Sequence, residues 1–404
     1  MAGGPHLKSL GQRLLELALL AVLLGLAVFV VRLTLNRPWD TETYWLAASA
    51  AIAGLNPYDL GDLSRLAHRA VGMPFLYPPA TIVLFAPLTL LSVLQAAELW
   101  AVAKVALLFG LFRIWQSRFL NKVSPILVLA VLVFGYNAAA VWDLKTGNIA
   151  ALEALLLWAA FGAYVGGRRA EFAAWVVAAS LFKLLPIAFL LLLLAPSRSG
   201  RRDRKLALRA LAAWAIVVFL PVLVGPAWAR DYVHQLPGDR PWGTACPSAL
   251  GLIDMLLGER ATPLLAPSWR AIAIWAGYAL ALIAFSIPTM RRLWRRGDDA
   301  ERVMAAVILF VLLTPRTMAY SYLLALAPSL ALGAPVLRRL GGFFAVGGVL
   351  MAQALLAPVL RFDYGNPWLA NSPFLLLLGL WIAFRGYESR RHLAAPPRAV
   401  LRPA

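Results

Sequence analysis

The chain has 404 residues, 61% of them hydrophobic and 14% charged, and a mean hydropathy of +0.74. A soluble chain carries about a quarter charged residues, so the composition excludes a soluble globular protein and points to an all-α polytopic membrane protein. The formal charge of +19 invites a nucleic-acid reading, but the Lys and Arg residues gather in short loops between apolar runs, at Arg198–Lys205, Arg291–Arg296, Arg338–Arg339 and Arg385–Arg398. Such clusters orient a membrane protein by staying on its cytoplasmic side, and no nucleic-acid partner is expected.

A spanning helix needs about 20 mostly apolar residues. By that measure the apolar runs predict about twelve spans, near 13–34, 79–95, 97–116, 123–141, 148–166, 171–195, 207–225, 269–289, 301–314, 319–334, 342–360 and 373–387. The first follows His6, Lys8 and Arg13 with no small-residue cleavage site behind it, and reads as a retained helix rather than a signal peptide. An even count puts both ends on one side, and the basic tail 385–404 makes that side the cytoplasm. The polar excursions 35–78 and 226–268 then both lie outside, within a single domain 1–404. Strict alternation fits less well in the middle, where it sends Arg113, Arg118, Lys122, Arg168 and Arg169 outside.

In the first outer loop, Thr41–Ala53 is rich in helix formers, with Asp40 or Thr41 as N-cap and Gly54 as the closing glycine. It is expected to lie along the membrane surface, where amphipathic aromatics prefer to sit. Asn56-Pro57-Tyr58-Asp59 reads as a turn and Tyr77-Pro78-Pro79 as a rigid entry into the second span. The second loop has a short amphipathic stretch, Trp228–Leu236, then Pro- and Gly-rich chain. The single cysteine, Cys246, excludes an intrachain disulfide and a cysteine-based metal site.

No phosphate-binding glycine loop, H-E-x-x-H pair or His/Cys ligand spacing is present. Polar residues at the membrane boundary are therefore the candidates for chemistry. Asp40 has two readings: an acid stabilised by a helix N-terminus, or a general base poised above the membrane. Glu42 is the rival acid. Lys183 and Glu153 are charges inside apolar runs, where a charge is expensive and usually has a purpose or a partner. Tyr44, Trp45, Tyr58 and Tyr77 suit sugar stacking or an interfacial belt. His68 and His234 lie in the two outer loops, and each reads as a proton carrier or an incidental surface residue.

Three strings carry a resemblance. They are Asp40-Thr-Glu-Thr-Tyr44-Trp45-Leu-Ala47-Ala48, then Ala53-Gly54-Leu-Asn56-Pro57-Tyr58-Asp59, then Tyr77-Pro78-Pro79 leading to Ala86-Pro87-Leu88. Together they resemble glycosyltransferase family 87, with looser agreement at Thr146-Gly147-Asn148, Phe182-Lys183-Leu-Leu-Pro186 and Thr314-Pro315-Arg316. The resemblance implies the GT-C membrane fold and transfer of a hexose, with mannose expected, from a polyprenyl-phosphate donor. The implied acceptor is a lipid or glycan on the outer face of a bacterial inner membrane. It also implies that the acid of the first outer loop, Asp40, is the catalytic base.

A lipid-phosphate donor needs cations at the membrane surface. Arg316, Arg230, Lys183 and Lys145 are the candidates, with Glu42, Tyr44, Tyr77, Asn148, Tyr320 and His234 as further substrate contacts. No metal or other cofactor is expected. The chain departs from the family at Lys145-Thr146-Gly147-Asn148, where many members have G-Q-x-N. It departs again at Arg316-Thr-Met-Ala-Tyr320, where many carry His. A transporter or flippase of lipid-linked sugars, or a scaffold subunit of an envelope-assembly complex, is the alternative.

Overall fold

The structure is a computed structural model that describes residues 39–195, 203–235, 246–258, 268–296, 298–360 and 366–394, with Leu17, Ala21 and Gly25. The expected first span 13–34 lies outside these residues apart from those three, as do the loop stretch 236–245 and the tail beyond 394. All regular structure among the described residues is helical. The chain divides into two compact units. The first comprises residues 1–134, 138–191 and 203–239, and the second 135–137, 192–202 and 240–404.

The first unit is built on α1 (Trp39–Ile52), α2 (Leu60–Ala67), α3 (Pro79–Phe85), α4 (Val93–Ile114), α5 (Pro125–Thr146), α6 (Ala150–Val165), α7 (Arg169–Ser180), α8 (Arg204–Val224) and α9 (Trp228–Gln235). Helix α1 begins at Trp39, which puts Asp40 in its first turn rather than at the cap. Gly54 (φ 72°) ends it, with the Leu55 N–H bonded to the Ala50 carbonyl at 2.8 Å. Helix α1 packs against the rest of the first unit through most of its residues. Its buried residues, Thr41, Thr43, Tyr44, Leu46, Ala47, Ala48 and Ala50 among them, cover one broad side of the helix, and Glu42, Trp45, Ser49 and Ile52 line the less buried face at helical spacing.

Two expected spans are broken. Ala86-Pro87 converts the helix begun at Pro79 into a 3₁₀ segment, Ala86–Leu90, and the chain then bends by 118° into α4. The run 171–195 breaks at Leu181–Leu184, where α7 gives way to a 3₁₀ segment, Leu185–Leu194. Helix α6 matches the expected 148–166 at 16 residues, about 24 Å long. Helix α5 passes through left-handed backbone at Tyr136, Asn137 and Ala138 (φ 48°, 57° and 57°), at the segment 135–137 that belongs to the second unit.

The second unit contains α10 (Ala249–Leu256), α11 (Trp269–Arg296), α12 (Asp299–Leu313), α13 (Leu326–Val336), α14 (Phe343–Leu360), α15 (Pro367–Ala370) and α16 (Ser372–Ala394). Its core gathers on α13, against which α12, α14 and α16 pack. Gly333 of α13 lets α14 approach, since a Cβ there would meet Val346 Cγ2 at 3.0 Å. Basic and acidic residues of α11, α12 and α16 meet at one end, where Arg296 pairs with Glu388 at 2.6 Å and Arg391 reaches Glu388 at 3.4 Å and Glu301 at 3.7 Å.

Among the described residues, Pro125–Thr146, Arg204–Leu223, Trp269–Arg296 and Ala319–Val336 are long and apolar enough to cross a membrane, and the bent pair Pro79–Leu90 and Val93–Phe119 makes a fifth if counted together. The other expected spans that are described are shorter, broken or more polar than that measure requires.

Candidate active site

Four site candidates of the first unit, Asp40, Tyr44, Tyr77 and Asn148, converge where the end of α5 meets the first turn of α1. Helix α5 stops at Gly147, which takes φ 75° and donates its N–H to the Asp143 carbonyl at 3.0 Å. Gly147 is obligatory on two counts. Its φ favours glycine, and a Cβ there would sit 1.8 Å from Thr41 Oγ1 and 3.0 Å from Thr41 Cβ. The Gly147 carbonyl accepts hydrogen bonds from Trp100 Nε1 at 2.8 Å and Thr41 Oγ1 at 3.3 Å, so α1, α4 and α5 are tied through one peptide group.

The turn delivers Asn148, which is fully buried. Its side-chain amide lies 2.9 Å from Asp40 Oδ2, 3.1 Å from Tyr44 Oη and 2.6 Å from Tyr77 Oη. Tyr44 stands edge-on to Tyr77, with ring centroids 4.9 Å apart, and against Phe85 at 4.6 Å. It is therefore a core residue that lines the carboxylate rather than an open platform for a sugar ring. Tyr77 is partly exposed and is fixed by its neighbour Tyr58, whose hydroxyl donates to the Tyr77 carbonyl at 3.0 Å.

Asp40 is 7% exposed. Burial pushes its carboxyl up to about 6, against the pull of the Asn148 amide, the Lys104 ammonium and the Thr146 hydroxyl. That is the range in which a carboxylate serves as a general base near neutrality. Burial and the Asp40 charge both raise the Tyr77 phenol, which stays protonated at such pH.

The rival acid is spoken for: Glu42 forms an ion pair with Arg69 away from the cluster. Lys183 lies at the break between α7 and the following 3₁₀ segment rather than inside a span. It pairs with Glu153 of the first turn of α6 at 2.6 Å and lies within electrostatic reach of Tyr77. Lys145 is half-buried over the Trp142 ring (4.7 Å) and near Trp39 (6.0 Å).

Arg230 and His234 are exposed on α9. That helix joins the first outer loop through the Asn56 amide, which donates to Asp231 Oδ2 at 2.7 Å, and through Tyr58 against Tyr232. His68 is exposed and closes α2 in left-handed backbone (φ 51°).

Arg316 and Tyr320 belong to the second unit. There Ser248 Oγ donates to the Pro315 carbonyl at 2.8 Å, Cys246 Sγ contacts Met318 Sδ at 3.0 Å, and Tyr322 Oη donates to the Pro247 carbonyl at 2.6 Å. Arg316 is half-buried, and its Nε is buried with no hydrogen-bond partner among the described residues. Tyr320 is buried.

Sequence reasoning passed over Lys104 and Asp143. Both are fully buried, with Lys104 Nζ 2.9 Å from Asp143 Oδ2 and also bonded to the Asp143 carbonyl. Lys104 stood in the middle of the expected span 97–116, and a charge there was the available signal. Among the described residues no three His, Cys, Asp or Glu side chains converge as a metal-ligand set.

The opposite end of α6 is basic. Arg118 donates to the Gly162 carbonyl at 3.2 Å, Arg169 lies 3.8 Å over the Tyr164 ring, and Arg168 pairs with Glu171 at 2.7 Å.

Comparison with known proteins gives three results. Residues 75–315, more than half of the chain, match the model of glycosyltransferase family 87. A polyprenol-phosphate-mannose-dependent alpha-(1-2)-phosphatidylinositol mannoside mannosyltransferase of Mycobacterium tuberculosis is 29% identical over 349 residues, which cover 80% of this chain and 77% of the relative. The crystal structure of the apo oligosaccharyltransferase of Archaeoglobus fulgidus aligns with 95% of this chain and 57% of its own, at 14% identity and a TM-score of 0.41.

Proposed function

The chain belongs to glycosyltransferase family 87, and from that premise we propose that this membrane glycosyltransferase moves a hexose, mannose first among them, from a polyprenyl-phosphate donor to a glycolipid acceptor, with Asp40 as general base. The observation that carries the reading is the Asp40 carboxylate itself, buried, held by Asn148 and raised to about 6. The relative's dependence on polyprenol-phosphate-mannose supports the donor, and its phosphatidylinositol mannoside acceptor supports a glycolipid.

In the proposed reaction the acceptor hydroxyl gives its proton to Asp40. The acceptor oxygen bonds to the anomeric carbon as the bond from that carbon to the phosphate oxygen breaks, and the polyprenyl phosphate leaves with the electron pair. The departing phosphate gains negative charge, which fixed cations stabilise. Lys183 is the candidate for that task in Asp40's own unit. The exposed Arg230 of α9 is a further candidate in the same unit, while Arg316 belongs to the second unit. Tyr77, partly exposed beside Asp40, is the candidate hydroxyl for the acceptor.

The fold is proposed to be of GT-C type with about twelve spans. The two breaks help here. If Pro79–Leu90 and Val93–Phe119 make one broken crossing, Arg118 and Lys122 return to the inside, followed by Arg168 and Arg169 after α5 and α6. If α7 and the segment 185–194 each make a short crossing that meets at Lys183, the cluster 198–205 also stays inside. Phe189 packing on Phe161 at 4.9 Å, well along α6 from Glu153, supports that return. The count is conserved, and the usual bias of basic residues then supports Asp40 facing the outside of a bacterial inner membrane.

Purified protein in detergent, given radiolabelled polyprenyl-phosphate-mannose and phosphatidylinositol mannosides beside an Asp40→Asn control, tests the reading. Label entering a new glycolipid with the native protein alone is the expected result. Transfer by Asp40→Asn at the native rate would remove Asp40 as the base. Failure of the native protein with this and other polyprenyl-linked sugars would remove the donor class.

A further inference from the structure

The two charges that sequence reasoning passed over sit directly behind the candidate base. Lys104 and Asp143 are fully buried, and their ammonium and carboxylate are 2.9 Å apart. Burying two charges costs several kcal/mol per ion, and a pair of apolar side chains would pack α4 against α5 at less cost. Stability is therefore a poor reason for this pair to exist.

Its geometry offers another reason. Trp100 and Lys104 lie one turn apart on the same face of α4. Trp100 binds the Gly147 carbonyl and Lys104 binds the Asp143 carbonyl. The Asp143 carbonyl also accepts from the Gly147 N–H at 3.0 Å and from Thr146 Oγ1 at 3.3 Å, and Thr146 Oγ1 in turn accepts the Asn148 N–H at 3.2 Å. The carbonyl that Lys104 grips thus anchors the Gly147 N–H and Thr146 Oγ1 directly and Asn148 through Thr146, while Trp100 and Thr41 hold the Gly147 carbonyl. We infer that the Lys104–Asp143 pair is a positioning element for Asp40, which holds the Thr146-Gly147-Asn148 turn in register with the carboxylate and sets the charge behind it. The inference rests on the reading of Asp40 as the base.

The groups that face Asp40 are few. Tyr44 comes from its own helix, Thr146 and Asn148 from the turn, Asp143 from α5, Lys104 from α4, and Tyr77 from the entry to α3, with Lys183 and Glu153 behind it. Glu42–Arg69 and, on α2, Asp62–Arg65 are paired with each other, Glu98 is exposed on α4, and Lys145 rests on its tryptophans. Of the charged groups, Lys104 favours the ionised carboxylate most, and Asp143 opposes it.

The experiment is the rate of mannosyl transfer against pH, between about pH 5 and 9, for native protein, Lys104→Met and Asp143→Asn, with folding checked by gel filtration and thermal unfolding in detergent. The acid-side midpoint should move up in Lys104→Met and down in Asp143→Asn, by at least about half a unit each. Loss of rate in both variants with no shift of midpoint, or shifts in the same direction, would overturn the inference while leaving Asp40 as base. If a single variant does not fold, the neutral double variant Lys104→Met/Asp143→Asn carries the test. It should show a smaller upward shift with reduced rate, and a native rate and midpoint would overturn the inference. Native transfer by Asp40→Asn would instead overturn the base assignment, and this role with it.

Discussion

The Asn148 amide donates a 2.9 Å hydrogen bond to the Asp40 carboxylate across 108 residues of chain. It favours the ionised form against the burial that opposes it. Asn148→Ala should therefore raise the acid-side midpoint of the pH–rate profile and lower the rate at neutral pH by roughly 10- to 100-fold. Asn148→Asp should be worse, because two adjacent carboxylates share one proton. Initial rates of both variants between about pH 5 and 9 check this.

The native protein should lose activity as pH falls through about 6, the value to which burial pushes the Asp40 carboxyl. A general base works only when deprotonated, so the loss lies on the acid side. A profile flat from about pH 5 upward would disconnect Asp40 from the proton transfer.

Asp40→Asn should abolish transfer and at the same time stabilise the fold. With its carboxyl raised from 3.8 to about 6, the folded protein holds a proton between those values that the unfolded chain has released. Stability therefore falls as pH rises through this window and stays lower above it, by roughly 3 kcal/mol at most. The amide avoids that cost. The thermal midpoint of Asp40→Asn should exceed the native one near pH 7.5 and equal it below about pH 4.

Gly147→Ala should disable the enzyme without touching a candidate catalytic group. Left-handed backbone costs a non-glycine residue about 1–2 kcal/mol, and the new Cβ would collide with Thr41 Oγ1. Relief of that collision pushes the turn, and Asn148 with it, away from α1. The expected loss of rate is at least about tenfold, and Thr41→Ala in the same chain should restore only part of it, since the Thr41 Cβ and backbone remain close. Transfer assays on the single and double variants decide.

Lys183→Met should raise the apparent KM for the polyprenyl-phosphate donor more than the KM for the acceptor, if its ammonium meets the phosphate. Glu42→Gln should change either KM by less than about twofold, because its carboxylate is engaged with Arg69 outside the cluster. Steady-state kinetics with each substrate varied in turn separates the two.

The first outer loop was largely legible because its punctuation is strong. Gly54, the Asn56-Pro57 turn and Pro79 all fall where glycine and proline geometry requires. Helix α2 escaped, although Asp59 before Leu60 caps it by accepting from the Asp62 N–H. Helix α1 was legible from its run of helix formers and its closing Gly54. Asp40, Asn148 and Lys183 could each be picked out by residue type and motif. Their meeting could not, since it depends on how α5 ends against α1. The breaks at Ala86-Pro87 and Leu181–Leu184 were hidden by continuous hydropathy, which reports burial or lipid and says little about direction.

The side-chain amide of Asn148 has two hydrogens, and three oxygens stand within 3.1 Å of its nitrogen. At any instant one of Asp40, Tyr44 and Tyr77 goes unserved by it. The site is thus over-subscribed at rest, and Tyr77, the partly exposed claimant, can turn its hydroxyl toward an incoming substrate while the amide keeps both hydrogens engaged. Admission of the acceptor then exchanges one hydrogen bond for another and leaves no buried donor stranded.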